Sequence, residues 1–164
     1  KIPDAQAGYE KGVTTTTAAL AGSNYVHHSA GFLESLLTVA YEQYVIDNDV
    51  NGSVMRMLRG IEVTEESLAL DVIHDVCNGV GHFLGHAQTI ALMNSEYLYP
   101  DVADRSSRDD WEEAGAKDLR VIAQTKAKDI LADHFPDVIP EALDQEIRKR
   151  FDILLPREEM RQTM

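Results

Sequence analysis

The chain has 164 residues, of which 44% are hydrophobic and 26% are charged, as expected for one soluble globular domain. Its 28 acidic and 15 basic side chains give a formal charge of −13, and it has no Lys/Arg cluster to bind nucleic acid and no run of about 18 apolar residues to cross a membrane. The one cysteine, Cys77, excludes an internal disulfide and multi-cysteine metal motifs, and it indicates a reducing, cytoplasmic compartment.

The first half of the chain is predicted to be helical, with one irregular interruption. Pro3 suits a first helical turn, and Asp4 favours the positive end of the helix that follows. Further along, Thr64 is a suitable N-cap and Gly79 a suitable helix end. The spacing of apolar residues places the helices at about 3–21, 33–47, 50–60 and 64–79.

The second half begins with three glycines in Gly79–His86, which favour a loop or a short strand over a helix. Ser107 is the predicted N-cap of the longest helix, and Pro136 is predicted to end it. The tail at 156–164 is charged and predicted to be frayed, which leaves residues 1–155 as the domain. The other predicted segments are a helix at about 87–95, a loop at 97–105, the long helix at about 108–134 and a last helix from Pro140.

The segment Gly22–Glu34 is the least helix-like part of the chain. Its Tyr25-Val26-His27-His28 run has the aromatic and β-branched content of a short buried strand. On such a strand Tyr25 and His27 face one side and His28 the other. Two histidines and an asparagine before a glycine turn are typical of a ligand-facing barrel strand. The alternative is one hydrogen-bonded histidine in the core and one in a loop.

The remaining histidine pair does not predict a metal site. His82 and His86 have the i,i+4 spacing of a helical zinc pair, but Gly81 and Gly85 argue against a helix there. No Glu follows His82 as in the zinc-protease motif. We therefore expect no bound metal.

The predicted elements are mostly helices, with one or two short strands that have no visible pairing partners. Amphipathic helices without their own sheet are typical of the outer ring of an α/β barrel, whose strands are supplied elsewhere. A barrel of this type needs about 250 residues. Together with a start at Lys1, this predicts that the chain is part of a longer protein.

Ordered sequence blocks extend over nearly the whole chain: Pro3–Lys11, Gly22–Glu34, Gly81–Thr89, Pro100–Asp101, Asp104–Arg105, Trp111, Gly115 and Arg150–Ile153. Together they resemble the carboxyl-terminal third of the trimethylamine methyltransferase family. The resemblance implies a fold class that is mostly α here, as the carboxyl-terminal part of a (β/α)8 TIM-type barrel with one or two short strands.

The resemblance also implies an activity, a cofactor and a partner. Members of the family take a methyl group from a tertiary or quaternary amine, such as trimethylamine or glycine betaine. They pass it to the Co(I) of a corrinoid (cobalamin) that a separate, cognate corrinoid protein carries. The expected ligand is therefore a small cationic methylamine, in an enzyme of methylamine metabolism.

Candidate site residues follow from the same resemblance. Tyr25 is expected to face a methylammonium group, and Glu34 to balance its charge. His27 or His28 is expected to hydrogen-bond a substrate carboxylate or to line the rim where the corrinoid docks. The substrate-binding set is Asn24, Tyr25, His27, His28 and Glu34, and the corrinoid-facing set is His82, Phe83 and His86.

Two other function classes stay open on the sequence: a non-catalytic helical interaction module, and a metal hydrolase lined by histidines. The isolated chain is not expected to turn over, because it supplies only part of a barrel wall. Helices that are apolar on one face and lack their sheet also predict self-association.

Overall fold

The computed structural model of the chain describes residues 1–135 and 138–160. The helices are α1 (Ala5–Leu20), α2 (Tyr41–Arg59), α3 (Glu65–Leu68), α4 (Leu70–Asn78), α5 (Ala87–Glu96), α6 (Arg108–Glu113), α7 (Leu119–Asp133) and α8 (Glu141–Arg150). One antiparallel pair of strands, β1 (Phe32–Leu33) and β2 (Thr38–Val39), precedes α2, and a 3-10 turn covers Arg157–Met160. The mostly helical prediction is confirmed, and the described residues contain no closed barrel.

Several predicted helix starts are confirmed by side-chain caps. Asp4 is the N-cap of α1 and accepts a hydrogen bond from the Ala7 N–H at 3.0 Å. Thr64 and Ser67 form a reciprocal capping box ahead of α3. Ser107 caps α6 in the same way as Asp4 caps α1. Each cap satisfies backbone N–H groups that the first helical turn leaves without a partner.

The strand predicted at Tyr25–His28 is wrong. This segment is irregular, and His28 has a φ of 59°, in the left-handed region that a strand does not use. The strands lie further along, where Phe32 pairs with Val39 and Leu33 with Thr38. A strand needs a hydrogen-bonding neighbour, which β1 finds in β2 and which Tyr25–His28 does not find among the described residues.

The helix predicted at about 33–47 is wrong in its first half. Residues 34–36 have φ values of 50°, 52° and 74°, and they form a left-handed turn between β1 and β2. The helix predicted to fade at residues 47–49 is instead continuous from Tyr41 to Arg59. Asp47 and Asp49 both accept hydrogen bonds from distant groups, and these tertiary contacts override their low helix propensity.

Two other predicted helices are broken by residues in the left-handed region. Ala69, with a φ of 53°, separates α3 from α4. Gly115 and Ala116, with φ values of 94° and 50°, separate α6 from α7, so that the single helix predicted at 108–134 is wrong. Pro136, the predicted end of that helix, lies outside the described residues, as do residues 161–164 of the tail.

α2 is the central element of the fold. It packs most extensively against α7 and then against α1, within the described part of the chain. The apolar side chains buried there are small or β-branched for the most part: Ala7, Leu33, Ile46, Val54, Ala123 and Ala127. The two largest fully buried side chains are polar, Gln43 and Asp47, and both come from α2.

The chain exposes far more surface than a compact monomer of its size. Its accessible area is 12802 Å². A folded monomer of 18.3 kDa is expected to expose about 8,100 Å². None of the described helices is long and apolar enough to cross a membrane. Part of this area is apolar surface, on helices (Val13 64%, Leu70 66% exposed) and on the segments between them (Ile61 82%, Leu84 82%).

Candidate functional site

Five aromatic rings follow one another from the segment after α1 to α2, and we call them the ring row: Tyr25, His27, His28, Phe32 and Tyr44. The Tyr25 and His27 centroids are 5.7 Å apart in a stacked pair, and those of His27 and His28 are 3.6 Å apart. The Phe32 ring makes T-shaped contacts with His28 and Tyr44, at centroid distances of 4.4 and 6.3 Å. The row brings three predicted substrate-binding residues together.

The two histidines do not face opposite sides, as strand alternation predicted. The left-handed backbone at His28 turns its ring back onto that of His27. Tyr25 is 77% exposed at the outer end of the row, and Asn24 is exposed beside it. A cation can therefore approach the outer end of the row, although the chain itself does not enclose it.

A glycine turn fixes the inner end of the ring row. Gly31 has a φ of 82°, and a side chain there would lie only 2.2 Å from the Tyr44 ring. Glycine is thus required both by its backbone and by the ring packed against it. The Gly31 N–H donates a 2.8 Å hydrogen bond to Oδ2 of Asp47, and its carbonyl accepts one from the Ala40 N–H at 3.1 Å.

Asp47 carries a buried negative charge directly behind this turn. Its side chain is 1% exposed, and the Lys11 ammonium from α1 lies 2.7 Å from its Oδ2. Gln43 donates to its Oδ1 at 2.6 Å. The carboxylate thus accepts bonds from α1, from the turn and from α2, and so fixes these three segments to one another.

Glu34, the predicted counter-charge, lies in the left-handed turn after β1. Its carboxylate is 2.9 Å from the Lys1 ammonium and accepts a 2.9 Å hydrogen bond from the Thr38 hydroxyl. The Lys1 ammonium and then the Thr38 hydroxyl hold the pKa of Glu34 below its ordinary value. Glu34 is therefore ionised near neutral pH, and a cationic ligand would compete with Lys1 for it.

His28, Phe32 and Glu34 line one cleft of about 610 Å³ between α1 and the hairpin. His28 and Phe32 form part of its wall, and Glu10 and Lys11 come from α1. Outer residues of the ring row do not line it. The cleft is large enough for a small amine, and it contains carboxylates and aromatic faces, the two kinds of group that bind an alkylammonium ion in proteins.

The predicted corrinoid-facing residues lie in the loop between α4 and α5. His82 is exposed and Phe83 is 45% exposed, so both are available to a partner. His86 has a structural role, because it is the N-cap of α5 and its Nδ1 accepts a 3.2 Å hydrogen bond from the Gln88 N–H. No cluster of three or more His, Cys, Asp or Glu side chains suited to a metal ion occurs among the residues described.

Sequence reasoning missed the residues that hold the ring row in place: Lys11, Phe32, Gln43, Tyr44 and Asp47. A signal for two of them was present. Gln43 and Asp47 are four residues apart and share a helical face with Val50 and Val54. Polar residues on an otherwise apolar face indicate a buried polar network.

Comparison with known proteins gives the family. A sequence model described as trimethylamine methyltransferase (MTTB) matches residues 1–154. The chain belongs to the trimethylamine methyltransferase family. It is 44% identical over 135 residues to trimethylamine methyltransferase MttB of Methanosarcina barkeri. It is 38% identical over 148 residues to MttB of Desulfitobacterium hafniense (strain DSM 10664 / DCB-2).

One similar family member carries a different substrate in its name. Glycine betaine methyltransferase of Desulfitobacterium hafniense (strain Y51) is 35% identical over 147 residues. The matches cover 82%, 90% and 90% of this chain but only 26%, 29% and 29% of the three relatives. The chain thus spans little more than a quarter of the length of these relatives.

Proposed function

We propose that this chain is the carboxyl-terminal segment of a (β/α)8 methyltransferase that demethylates a tertiary or quaternary methylamine. The acceptor is the Co(I) of a corrinoid bound to a cognate partner protein. The observation that carries the proposal is the family match over residues 1–154, with relatives named for trimethylamine and for glycine betaine.

The substrate side of the proposal rests on the ring row and Glu34. An alkylammonium ion is attracted by aromatic faces within about 6 Å and by a nearby carboxylate. Tyr25, His27 and Asn24 form the accessible outer part of this site, whereas His28 and Glu34 line the cleft behind it. These five residues are the ones we propose to contact the methylamine.

The reaction makes modest demands on acid–base groups. A corrinoid held by the partner protein would supply the nucleophile and accept the methyl group, and the amine nitrogen would leave with the electron pair of the broken carbon–nitrogen bond. The protein residues bind the ammonium group, orient one methyl group outward and exclude water. Aromatic rings and one carboxylate suit this task, because they bind a cation without donating a proton to it.

The corrinoid side of the proposal uses the loop between α4 and α5. A corrinoid is a broad macrocycle, and it fits an exposed surface better than a closed pocket. His82 and Phe83 offer such a surface, next to the 82% exposed Leu84. His86 contributes by ordering the start of α5, since its Nδ1 is already bonded to the Gln88 N–H.

The chain alone is proposed to be inactive. The outer rings have no cover, so water reaches the place where the cation would bind. The large exposed area also predicts that the isolated chain self-associates, which light scattering would detect as a mass above 18.3 kDa. We place the protein in the cytoplasm, in line with its single cysteine and an oxygen-sensitive acceptor.

The test is methyl transfer from trimethylamine or glycine betaine to Co(I) cobalamin, followed by the absorbance of cobalamin. The samples are the full-length protein, this chain, and full-length variants His27→Ala, His28→Ala and His74→Ala. His74 is the control, because it is a histidine on α4, outside the ring row and outside the loop proposed to face the corrinoid.

The full-length protein should turn over and the chain should not. The variants at His27 and His28 should lose about 100-fold in kcat/KM, the scale of a misplaced substrate, whereas His74→Ala should not. Full activity in both ring-row variants would contradict the site. Turnover by the chain at the full-length rate would contradict its role as a segment.

A further inference from the structure

The ring row is held from behind by a buried carboxylate that no part of the proposed reaction uses. Asp47 lies on α2, is 1% exposed and accepts three hydrogen bonds. One comes from the backbone N–H of Gly31, three residues after His28 and directly before Phe32. The bond therefore constrains the short stretch of backbone that carries the rings of His28 and Phe32.

Stability alone does not explain the buried cluster of Lys11, Gln43 and Asp47. A buried ion pair often stabilises a fold less than well-packed apolar residues of the same volume would. In addition, Oε1 of Gln43 is buried and has no hydrogen-bond partner among the described residues. Within the described part of the chain, the Gln43 side chain makes one hydrogen bond, to Asp47. Natural proteins keep such unfavourable arrangements mainly at functional sites.

The geometry of the turn explains how Asp47 acts at a distance. Gly31 is in the left-handed region, and its Cα packs against the ring of Tyr44. Asp47 fixes the same residue through its N–H, while Lys11 connects the carboxylate to α1. The Tyr44 ring and the Asp47 carboxylate thus hold Gly31 from two sides. The backbone direction at Gly31 in turn sets the positions of His28 before it and Phe32 after it.

We propose that Asp47 is a positioning residue for the ring row, acting through the Gly31 amide. The inference rests on the proposed function, since the ring row is the part proposed to bind the methylammonium group. What the site needs from Asp47 is a hydrogen-bond acceptor at Oδ2, and the role of Lys11 is to neutralise its charge. An uncharged acceptor of the same shape should therefore serve the ring row equally well.

Two double variants of this chain separate the acceptor from the charge. Lys11→Met with Asp47→Asn removes both charges and keeps an oxygen for the Gly31 N–H. Lys11→Met with Asp47→Leu removes both charges and the acceptor but keeps the branched side-chain shape, with two methyl groups in place of the carboxylate oxygens. Asp49→Leu is the control, because Asp49 lies on the same helix and accepts bonds from Val102 and other residues far from the rings.

The measurement is the NMR spectrum of the histidine rings, with far-UV circular dichroism as the check on folding. The tilted contact with His27, at a centroid distance of 3.6 Å, and the T-shaped contact with Phe32, at 4.4 Å, give His28 ring-current shifts and proton contacts with both rings. We expect these signals to persist in the asparagine variant and in Asp49→Leu. In the leucine variant they should be lost while the helix content is kept.

Two results would overturn the proposal. Native ring signals in the leucine variant would show that the acceptor is not needed. Loss of helix content in the leucine variant alone would make Asp47 a determinant of the whole fold and not of the ring row.

The full-length enzyme separates this proposal from the proposed function. The leucine variant should lose about 100-fold in kcat/KM for the methylamine, and the asparagine variant should stay within about tenfold of wild type. If wild type transfers no methyl group, the proposed function fails, and the ring signals still decide the role of Asp47. If wild type is active and the leucine variant is equally active, Asp47 does not position the site.

Discussion

Two regions of the molecule are held together in different ways. The α2 unit consists of α1, the β1–β2 hairpin, α2 and α7, and its helices bury their faces against one another. The second region, which we call the 61–99 arm, consists of residues 61–99 and contains α3, α4 and α5. Within the arm, as described, Val76 is the one fully buried apolar side chain.

The arm is ordered mainly by the ends of its helices. The capping box of Thr64 starts α3, and His86 caps α5. At the other end of α5, Arg56 and Arg59 from α2 donate to the carbonyls of Glu96 and Ser95 at 2.8 and 2.7 Å. Cations at a helix C-terminus satisfy its free carbonyls and its dipole.

Helix capping alone thus does not make a region fully stable. Short helices are marginal in water unless an apolar face is covered. The helices of the arm expose apolar side chains, with Leu70 of α4 66% exposed and Ile90 of α5 57% exposed. We therefore expect the arm to reach full stability only when protein beyond this chain covers it, whereas α1, α2 and α7 already bury apolar side chains against one another within the chain.

Removing the cation from the buried pair should have the largest effect. Lys11→Met leaves the Asp47 charge buried without its partner, and should lower the free energy of unfolding by about 3–5 kcal/mol. Arg59→Met breaks an exposed pair between α2 and Glu96 of the arm and should cost less than about 1 kcal/mol. Urea unfolding at matched protein concentration measures both. Equal losses would mean that the regions do not differ in this way.

Next in size is the glycine beneath the ring row. Gly31→Ala combines a left-handed backbone with overlap of the Tyr44 ring, and should cost about 2–4 kcal/mol. Gly22→Ala has a similar φ, 85°, but open space around it, and should cost about 1–2 kcal/mol. In a Tyr44→Ala background, measured against Tyr44→Ala alone, Gly31→Ala should cost about as much as Gly22→Ala. A Gly31→Ala cost unchanged in that background would rule out the steric explanation.

A matched pair of valines compares burial directly. Val54 in α2 is 4% exposed, and Val54→Ala should cost about 2 kcal/mol. Val63 in the arm is 76% exposed, and Val63→Ala should change stability by less than about 0.5 kcal/mol. In the full-length protein the Val63 cost should rise, because its surface becomes covered. If it stays near zero there, the arm has no partner at that position.

The smallest effect is a pH dependence where α2 meets α7. Burial raises the pKa of Glu42, but bonds from its own backbone N–H, Gln124 and Arg120 outweigh this and the net pKa is lowered. Because the pKa of Glu42 is lower in the folded state, its carboxylate stabilises the fold at pH values above its unfolded pKa of about 4.3. This stabilisation is lost as the pH falls through the folded pKa. Glu42→Gln should flatten the acid side of the stability curve.

The partners of Glu42 provide the check on this pH dependence. Arg120→Met with Gln124→Leu should also flatten the acid side of the curve, because Glu42 then has neither side-chain partner. Urea unfolding at a series of pH values below 5 measures both variants. An acid slope unchanged in either would contradict the assignment.

Local features of the fold were predictable from the sequence, and features set by distant contacts were not. Asp4, Thr64 and Ser107 are caps whose partners lie within three residues, so the sequence pattern contains the whole signal. In contrast, Leu33, Leu36 and Leu37 match helical spacing, yet a left-handed turn at residues 34–36 joins two short strands there. Nothing in the spacing distinguishes the two outcomes.

The same division applies to the candidate site. His27 and His28 stood out as adjacent histidines before a glycine turn, and the structure places them together. The contact between their rings could not be predicted from the sequence, because it depends on the left-handed φ of His28. Asp47 was taken as the end of a helix, since aspartate is a poor helix former and its partners Lys11 and Gly31 are distant in sequence.

Hydrogen exchange, resolved by region, tests the difference between the α2 unit and the arm most directly. It reports the free energy of local opening for each helix in turn. In the isolated chain, amides of α2 and α7 should exchange slowly and those of α4 and α5 quickly, whereas in the full-length protein all four should be slow. Equal protection of α4 and α2 in the isolated chain would contradict the account, because the arm would then need no cover.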